Sequence, residues 1–195
     1  MAETLRDWIN PKYLTVESVR KIALLFAKEG ALQLPDFLLA ERYKKLTERR
    51  YPFTHAYSPQ QYSYDYAEIP AEVRAFLLSS AFSSYLEMLT GYSRVLPEQI
   101  LRFNHRDYTA LYDHKPFTGL GVALSLTPRW DYRMGGVLVY KHSSGDALEV
   151  VPRANTLTLA QCSSEIQSYV SYVNHLAKGS VLVLTAHARN RRADR

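Results

Sequence analysis

The chain has 195 residues, of which 47% are hydrophobic, and its formal net charge is +5. This length suits one well-buried core, and no run of about eighteen apolar residues predicts a membrane-spanning helix. The single cysteine, Cys162, excludes an internal disulfide and a cysteine-based zinc site. The first residues, with Glu3, Asp7 and Asn10, lack the basic-then-apolar order of a signal peptide. We therefore expect a single cytoplasmic domain, 1–195, with no membrane partner.

Apolar residues recur at helical spacing from Ser18 to Lys28, and Gly30 follows them as a stop signal. The next segments predict a strand at 30–38 and helices at 40–50, 71–79 and 81–90. We therefore expect residues 1–100 to be mainly helical support.

The segment Tyr51–Tyr66 is rich in tyrosine and is interrupted by Pro52 and Pro59. It suits a strand or loop whose aromatic rings cover a sheet. It also suits a lid beside a binding site, since such loops often carry binding groups. We favour the first interpretation.

Short apolar strands follow one another in the second half, separated by Gly, Pro, Asn and Asp. The predicted strands lie at 122–126, 137–140, 148–151 and 157–159. This spacing leaves no room for helices between strands, so we expect an antiparallel sandwich or barrel in the second half. Inward side chains near the mouth of a jelly roll can converge on a metal or a small ligand.

The remaining residues, 187–195, predict a basic tail, with Arg189, Arg191, Arg192 and Arg195. Basic tails can hold phosphates by counterion release, but short terminal runs are usually solvated. We therefore do not favour a nucleic-acid partner. A small nucleic-acid-binding protein that uses this tail is the third of the functions considered.

Several motifs of the second half occur in a characteristic order. They are the run 103–114, Trp130, the pair Gly135-Gly136 with the strand after it, and the turn from Pro152 to Asn155. This order resembles the prolyl-hydroxylase-like 2-oxoglutarate/iron(II) oxygenases, over roughly residues 20–185. The resemblance implies an α+β fold, in which a double-stranded β-helix (jelly roll) at 101–186 carries an N-terminal helical layer. It also implies Fe(II) as cofactor and 2-oxoglutarate as co-substrate. It also implies hydroxylation of a peptidyl (prolyl-type) or small-molecule carbon.

The resemblance implies an iron site of two imidazoles and one carboxylate. The first motif of the family is His-x-Asp/Glu, where this chain has Tyr112, Asp113 and His114. In the family's register Tyr112 replaces the histidine and His114 replaces the carboxylate. A bulge that shifts the register by one residue would turn Asp113 inward. We expect Asp113 and His114 to hold the metal and Tyr112 to line the catalytic site.

The second imidazole has one candidate in the expected region, His175, which follows the alternating stretch 169–173. In one register His175 is the distal iron ligand. In the other, Ser168 takes the ligand position and His175 lies in the turn beyond it. The sequence leaves both registers open.

The family pairs the distal carboxylate of 2-oxoglutarate with a basic residue about ten positions after that histidine, in a charge-assisted contact. Lys178 fits this spacing in the Ser168 register, and Arg189 lies just past the next strand. Tyr108 is a further candidate through its hydroxyl group. The function that follows is an oxygenase acting on a small molecule, peptide or protein. The alternative is a catalytically inactive jelly-roll relative that binds a protein segment.

Overall fold

The structure is a computed structural model that describes residues 4–110 and 117–190. Its helices are α1 (Val16–Glu29), α2 (Ala40–Glu48), α3 (Ala71–Leu77) and α4 (Ser80–Thr90). Its strands are β1 (Ala31–Pro35), β2 (Thr54–Ser58), β3 (Tyr62–Ala67), β4 (Arg94–Phe103), β5 (Tyr108–Thr109), β6 (Gly119–Ser125), β7 (Leu138–His142), β8 (Ala147–Val150), β9 (Thr156–Cys162), β10 (Ile166–Val170) and β11 (Val181–Arg189).

Local signals explain the two longest helices. The Thr15 hydroxyl accepts from the Ser18 amide at the start of α1, and Gly30 ends the helix at φ 68°. Helix α4 begins where the Ser79 hydroxyl accepts from the Phe82 amide. The helices predicted at 18–28 and 81–90 are therefore confirmed, with small changes at their ends.

The strands form two antiparallel sheets. The large sheet has eight strands, with the order β1-β9-β6-β11-β4-β3-β2 and β5 paired to β3. The small sheet has three strands, in the order β10-β7-β8. Because both sheets line one cavity, they face each other as the two layers of a jelly roll.

The large sheet packs its other face against the helices. Leu184, Ala186 and Ala188 of β11 belong to the same buried cluster as Phe26 of α1 and Leu86 of α4. The intervening residues of β11 point into the cavity, as the two-residue period of a strand requires. The helical layer thus supports the wall of the cavity from behind.

Two features differ from the sequence-based expectation. Strand β4 is not expected from the sequence, because Pro97 and Glu98 interrupt its apolar pattern. In the structure β4 pairs with β11, and the register of this pair shifts between Leu184 and Ala186. Residues 1–100 therefore supply much of the large sheet as well as helical support. Strand β11 also continues to Arg189, so residues 187–189 belong to the sheet and not to the tail.

The tyrosine-rich segment forms the hairpin β2–β3 at one edge of the large sheet. Tyr64 packs against Phe103 with ring centroids 5.7 Å apart, whereas Tyr57 is 63% exposed. In the described ranges, no helix is long and apolar enough to cross a membrane.

Candidate functional site

The candidate site is the cavity of about 610 Å³ between the two sheets. Small-molecule sites typically have volumes of about 300–1,000 Å³ and mostly apolar walls. The large sheet contributes lining residues from β4, β6, β9 and β11, and the small sheet contributes lining residues from β7, β8 and β10. A ligand in this cavity would therefore contact both layers of the jelly roll.

The residues of strand β11 that line the cavity change from apolar to polar along the strand. Its inward residues are Val181, Val183, Thr185, His187 and Arg189. At about 3.3 Å per residue, Val181 and Arg189 lie roughly 26 Å apart along the strand. The cavity therefore has an apolar end, near Val181, and a polar end, near Arg189.

The apolar end is built from both sheets. Phe103 of β4, Val170 of β10 and Val181 of β11 are buried together, and Leu138 of β7 packs against them. All of these residues line the cavity. This end offers van der Waals contact and little hydrogen bonding to a ligand.

The polar end contains a linked set of side chains. His187 Nδ1 lies 2.8 Å from a carboxylate oxygen of Glu98, on the neighbouring strand β4. The ring of Phe117 stacks on the imidazole of His187 at 4.1 Å, and the guanidinium of Arg189 lies 5.6 Å from the centre of the Phe117 ring. We refer to Glu98, Phe117, His187 and Arg189 as the polar end cluster.

Tyr140 and Ser168 lie between the two ends. They are cross-strand partners on β7 and β10, so their side chains are neighbours on the inner face of the small sheet. Tyr140 is 91% buried, since only 9% of its surface is exposed, and burial raises the pKa of its hydroxyl group above the ordinary value. In the described part of the chain its hydroxyl has no hydrogen-bond partner.

Gly121 on β6 leaves room opposite Tyr140. A Cβ atom at this position would lie 3.1 Å from the Tyr140 hydroxyl oxygen and 3.3 Å from Cys162 Sγ. Cys162 is a half-buried free thiol, and burial raises its pKa. The absence of a side chain at Gly121 therefore leaves space at the wall of the large sheet for the Tyr140 hydroxyl and the Cys162 thiol.

The first predicted metal motif lies outside the described residues. Tyr112, Asp113 and His114 fall between Ala110 and Phe117, at 111–116. Their assignment as catalytic residue and iron ligands stays a prediction.

The second predicted ligand, His175, lies in the turn between β10 and β11, exposed to solvent. Lys178 is also exposed in this turn, and neither residue lines the cavity. Ser168 does line it, opposite Tyr140 in the small sheet. The structure therefore has Ser168 inward and His175 in the turn, and the assignment of either residue to the iron position stays a prediction.

The remaining predicted co-substrate residues differ in position. Arg189 lines the cavity at its polar end. Tyr108 of β5 pairs with Ser63 of β3, and the centre of its ring lies 6.4 Å from that of Tyr172. Tyr108 does not line the cavity. The structure brings Arg189 and Ser168 to one cavity and leaves His175, Lys178 and Tyr108 outside it.

The described residues do not by themselves fit an iron(II) centre. In the ranges 4–110 and 117–190, no group of three or more His, Cys, Asp and Glu side chains could hold a metal. Glu98 and His187 supply two donors, whereas the iron sites of this class need three on one face. Any iron ligand beyond these two would have to come from the undescribed segment.

Sequence reasoning missed Glu98, Tyr140 and His187 as site residues. The inward position of His187 follows from alternation in β11, whereas the run of arginines predicts a tail from residue 187. Glu98 lies on the unexpected strand β4, and the sequence pattern predicts Tyr140 only as part of a strand. Alternation in 181–189 was the signal that could have found His187.

Comparison with known proteins agrees with this architecture. Residues 47–194 match the family model described as "Oxoglutarate and iron-dependent oxygenase degradation C-term". The chain belongs to this family. The match covers most of this oxygenase-family chain, including β2 to β11, and leaves out α1 and β1.

A curated relative of this oxygenase-family chain is Prolyl 3-hydroxylase OGFOD1 of Xenopus laevis, 24% identical over 224 aligned positions. The alignment covers 89% of this chain and 44% of the relative, so the chain spans less than half of that protein.

Solved structures share the fold. A Pseudomonas putida prolyl-4-hydroxylase superposes with a TM-score of 0.66 at 18% identity, covering 89% of this chain and 99% of that one. A Trichoplax adhaerens prolyl hydroxylase, in complex with a hypoxia inducible factor oxygen degradation domain peptide fragment, gives 0.64 at 13% identity, covering 91% and 94%. The predicted resemblance to prolyl-hydroxylase-like oxygenases and the double-stranded β-helix are confirmed.

Proposed function

We propose that this member of the oxygenase family is a binding module whose cavity takes a segment of another protein without an iron centre. The observation that carries the proposal is Ser168 on the inner face of β10, with His175 exposed in the following turn. A serine hydroxyl is a far weaker iron(II) ligand than an imidazole, and loss of one imidazole removes much of the affinity of such a site.

The cavity supports a peptide ligand through its length and its walls. The residues of β11 that line it span roughly 26 Å, the length of about eight extended residues. Its apolar end suits aliphatic or aromatic side chains, and Tyr64 from the hairpin β2–β3 lines the wall. The Trichoplax adhaerens structure in the same fold is a complex with a peptide fragment.

The binding test uses a pool of random decapeptides, half with a free C-terminal carboxylate and half amidated. Protein on a solid support is incubated with the pool, and retained peptides are identified by mass spectrometry. We expect retention by the wild type and loss of retention in Val183→Trp, which fills the cavity from β11. Lys141→Trp is the matched control, because Lys141 is exposed on the small sheet and outside the cavity lining. If the wild type retains no peptide, or if Val183→Trp retains the same peptides, the proposal is wrong.

A second candidate is a 2-oxoglutarate/iron(II)-dependent dioxygenase that hydroxylates a prolyl-type peptidyl or small-molecule carbon. The family and the prolyl 3-hydroxylase relative favour it. In this candidate Asp113, His114 and His175 hold the iron, and Tyr112 lines the site. Tyr108, Lys178 or Arg189 meets the co-substrate.

An anaerobic titration with iron(II) and 2-oxoglutarate separates the two candidates. The oxygenase would give a metal-to-ligand charge-transfer band in the visible spectrum, whereas the binding module would give none. The Pseudomonas putida prolyl-4-hydroxylase serves as the positive control. If a band does appear, His175→Ala tests the ligand set: unchanged iron affinity would exclude His175 as a ligand.

A further inference from the structure

The polar end of the cavity presents the guanidinium of Arg189. This guanidinium contacts the face of Phe117, and no carboxylate of the described residues pairs with it. An anion bound at this mouth would give Arg189 a charged partner.

The acidic residue nearby does not cancel this charge. Glu98 is already engaged, because its carboxylate lies 2.8 Å from His187 Nδ1. Phe117 stacks on the same imidazole and keeps it in place. Among the described residues, the guanidinium of Arg189 therefore has no carboxylate partner, and a guanidinium can bind a carboxylate through two parallel hydrogen bonds.

A second polar group faces the cavity. Tyr140 lines the cavity and its side chain is mostly buried, and none of the described residues forms a hydrogen bond with its hydroxyl. A tyrosine hydroxyl is protonated at neutral pH, so it can donate a hydrogen bond to an acceptor on a ligand.

The positions of these two residues along the register of the strands indicate what kind of ligand fits. Tyr140 lies opposite Gly121, which pairs with His187, and Arg189 follows His187 by two residues on β11. Two residues of strand correspond to roughly 7 Å. An extended peptide has a backbone carbonyl about 7 Å before its C-terminal carboxylate, since its repeat has the same length. A fatty acid has no acceptor at that distance.

We propose that the cavity binds the C-terminal segment of a protein, with its terminal carboxylate on Arg189, an upstream carbonyl on Tyr140 and its apolar side chains towards Val181. This inference rests on the proposed peptide-binding function and specifies which part of a partner chain is bound. Phe103, Leu138 and Val170 form the apolar wall that selects hydrophobic residues upstream of the carboxylate.

The test separates the decapeptide pool into free acids and amides of the same sequences. We expect the wild type to retain the free acids roughly tenfold more strongly, the effect expected for a hydrogen bond to a charged group. Arg189→Gln should bring the ratio of acid to amide close to one. Tyr140→Phe should weaken both forms by roughly fivefold, because it removes a neutral hydrogen bond and leaves the ring in place.

Arg20→Gln is the matched control, since Arg20 is exposed on α1, in the layer behind the large sheet. It should retain the wild-type ratio. Circular dichroism and thermal melting check that each variant is folded. Equal retention of acids and amides by the wild type would overturn this inference and leave the proposed function standing. Failure to retain any peptide would overturn both, and a preserved acid preference in Arg189→Gln would exclude Arg189 as the carboxylate site.

Discussion

Asp65 on β3 shows how one buried carboxylate ties several elements together. It accepts hydrogen bonds from Arg102 Nη2 at 2.7 Å and from Asn104 Nδ2 at 2.8 Å, and His55 Nδ1 lies 2.8 Å away. Burial alone would raise its pKa, but the hydrogen bonds from Arg102, His55 and Asn104 outweigh burial and hold the pKa below the ordinary value. The charged form of Asp65 therefore stabilises the junction of β2, β3 and β4.

Replacing this carboxylate tests its contribution and its pH dependence. We expect Asp65→Asn to lower the free energy of unfolding by about 2–3 kcal/mol at pH 7, because Arg102 loses its charged acceptor. The pKa of Asp65 is lower in the folded state than in the unfolded state, where it is about 3.9. Its charged form therefore stabilises the folded protein above about pH 3.9. This stabilisation is lost as the pH falls through the folded-state pKa.

The measurement is urea unfolding of both proteins between pH 7 and pH 2.5. The difference in the free energy of unfolding between the wild type and Asp65→Asn should shrink as the pH falls below about 4. Asp131→Asn is the control, since Asp131 pairs with Arg133 at the surface, where ion pairs contribute little to stability. A difference for Asp65→Asn that is independent of pH would contradict the electrostatic explanation.

Among the elements, the turn before β7 has the strictest backbone requirement. Gly135 has φ 72°, and a Cβ atom there would overlap the backbone carbonyl of Tyr172. The Trp130 indole donates to the Gly135 carbonyl at 2.7 Å, which fixes the turn against the chain. Glycine is needed here for its positive φ and because two backbone segments approach closely.

Substitution in this turn should disturb the whole small sheet. We expect Gly135→Ala to destabilise the protein by about 3 kcal/mol or more, since strain and a backbone clash act together. Gly145→Ala is the matched control: Gly145 has φ 104° in an open turn, with nothing near its Cβ position. It should cost about 1 kcal/mol. Urea unfolding measures both, and equal costs would show that the clash with Tyr172 does not matter.

At the scale of the whole molecule, the large sheet separates the helical layer from the cavity. Leu86 of α4 is fully buried against the outer face of the large sheet, whereas Val183 lines the inner face. The outer face supplies most of the apolar burial, and the inner face is left for a ligand. Stability and binding should therefore be separable by substitution.

A pair of substitutions in α4 tests this separation. We expect Leu86→Ala to lower the free energy of unfolding by about 2–5 kcal/mol, the usual cost of a core cavity. Met88→Ala, at a position that is 58% exposed, should change it by less than about 0.5 kcal/mol. Neither variant should change peptide retention while it remains folded. A loss of retention in folded Leu86→Ala would show that the helical layer shapes the cavity directly.

The sequence by itself determined the order and type of most elements, because those depend on local signals. Thr15 and Gly30 mark the ends of α1, and closely spaced Gly, Pro and Asn residues exclude helices from the second half. An antiparallel sandwich or barrel followed from these patterns, and the resemblance to the oxygenase family narrowed it to a double-stranded β-helix.

Only the tertiary structure decided which side chains meet in the cavity. Ser168 faces inward because β10 pairs with β7 in one particular register, and His175 then falls in a turn. Glu98 and His187 come together because β4 and β11 are neighbours, although they are far apart in the chain. Pairing between distant strands is set by the hydrogen bonds and packing of the complete sheet, so no local pattern could specify it.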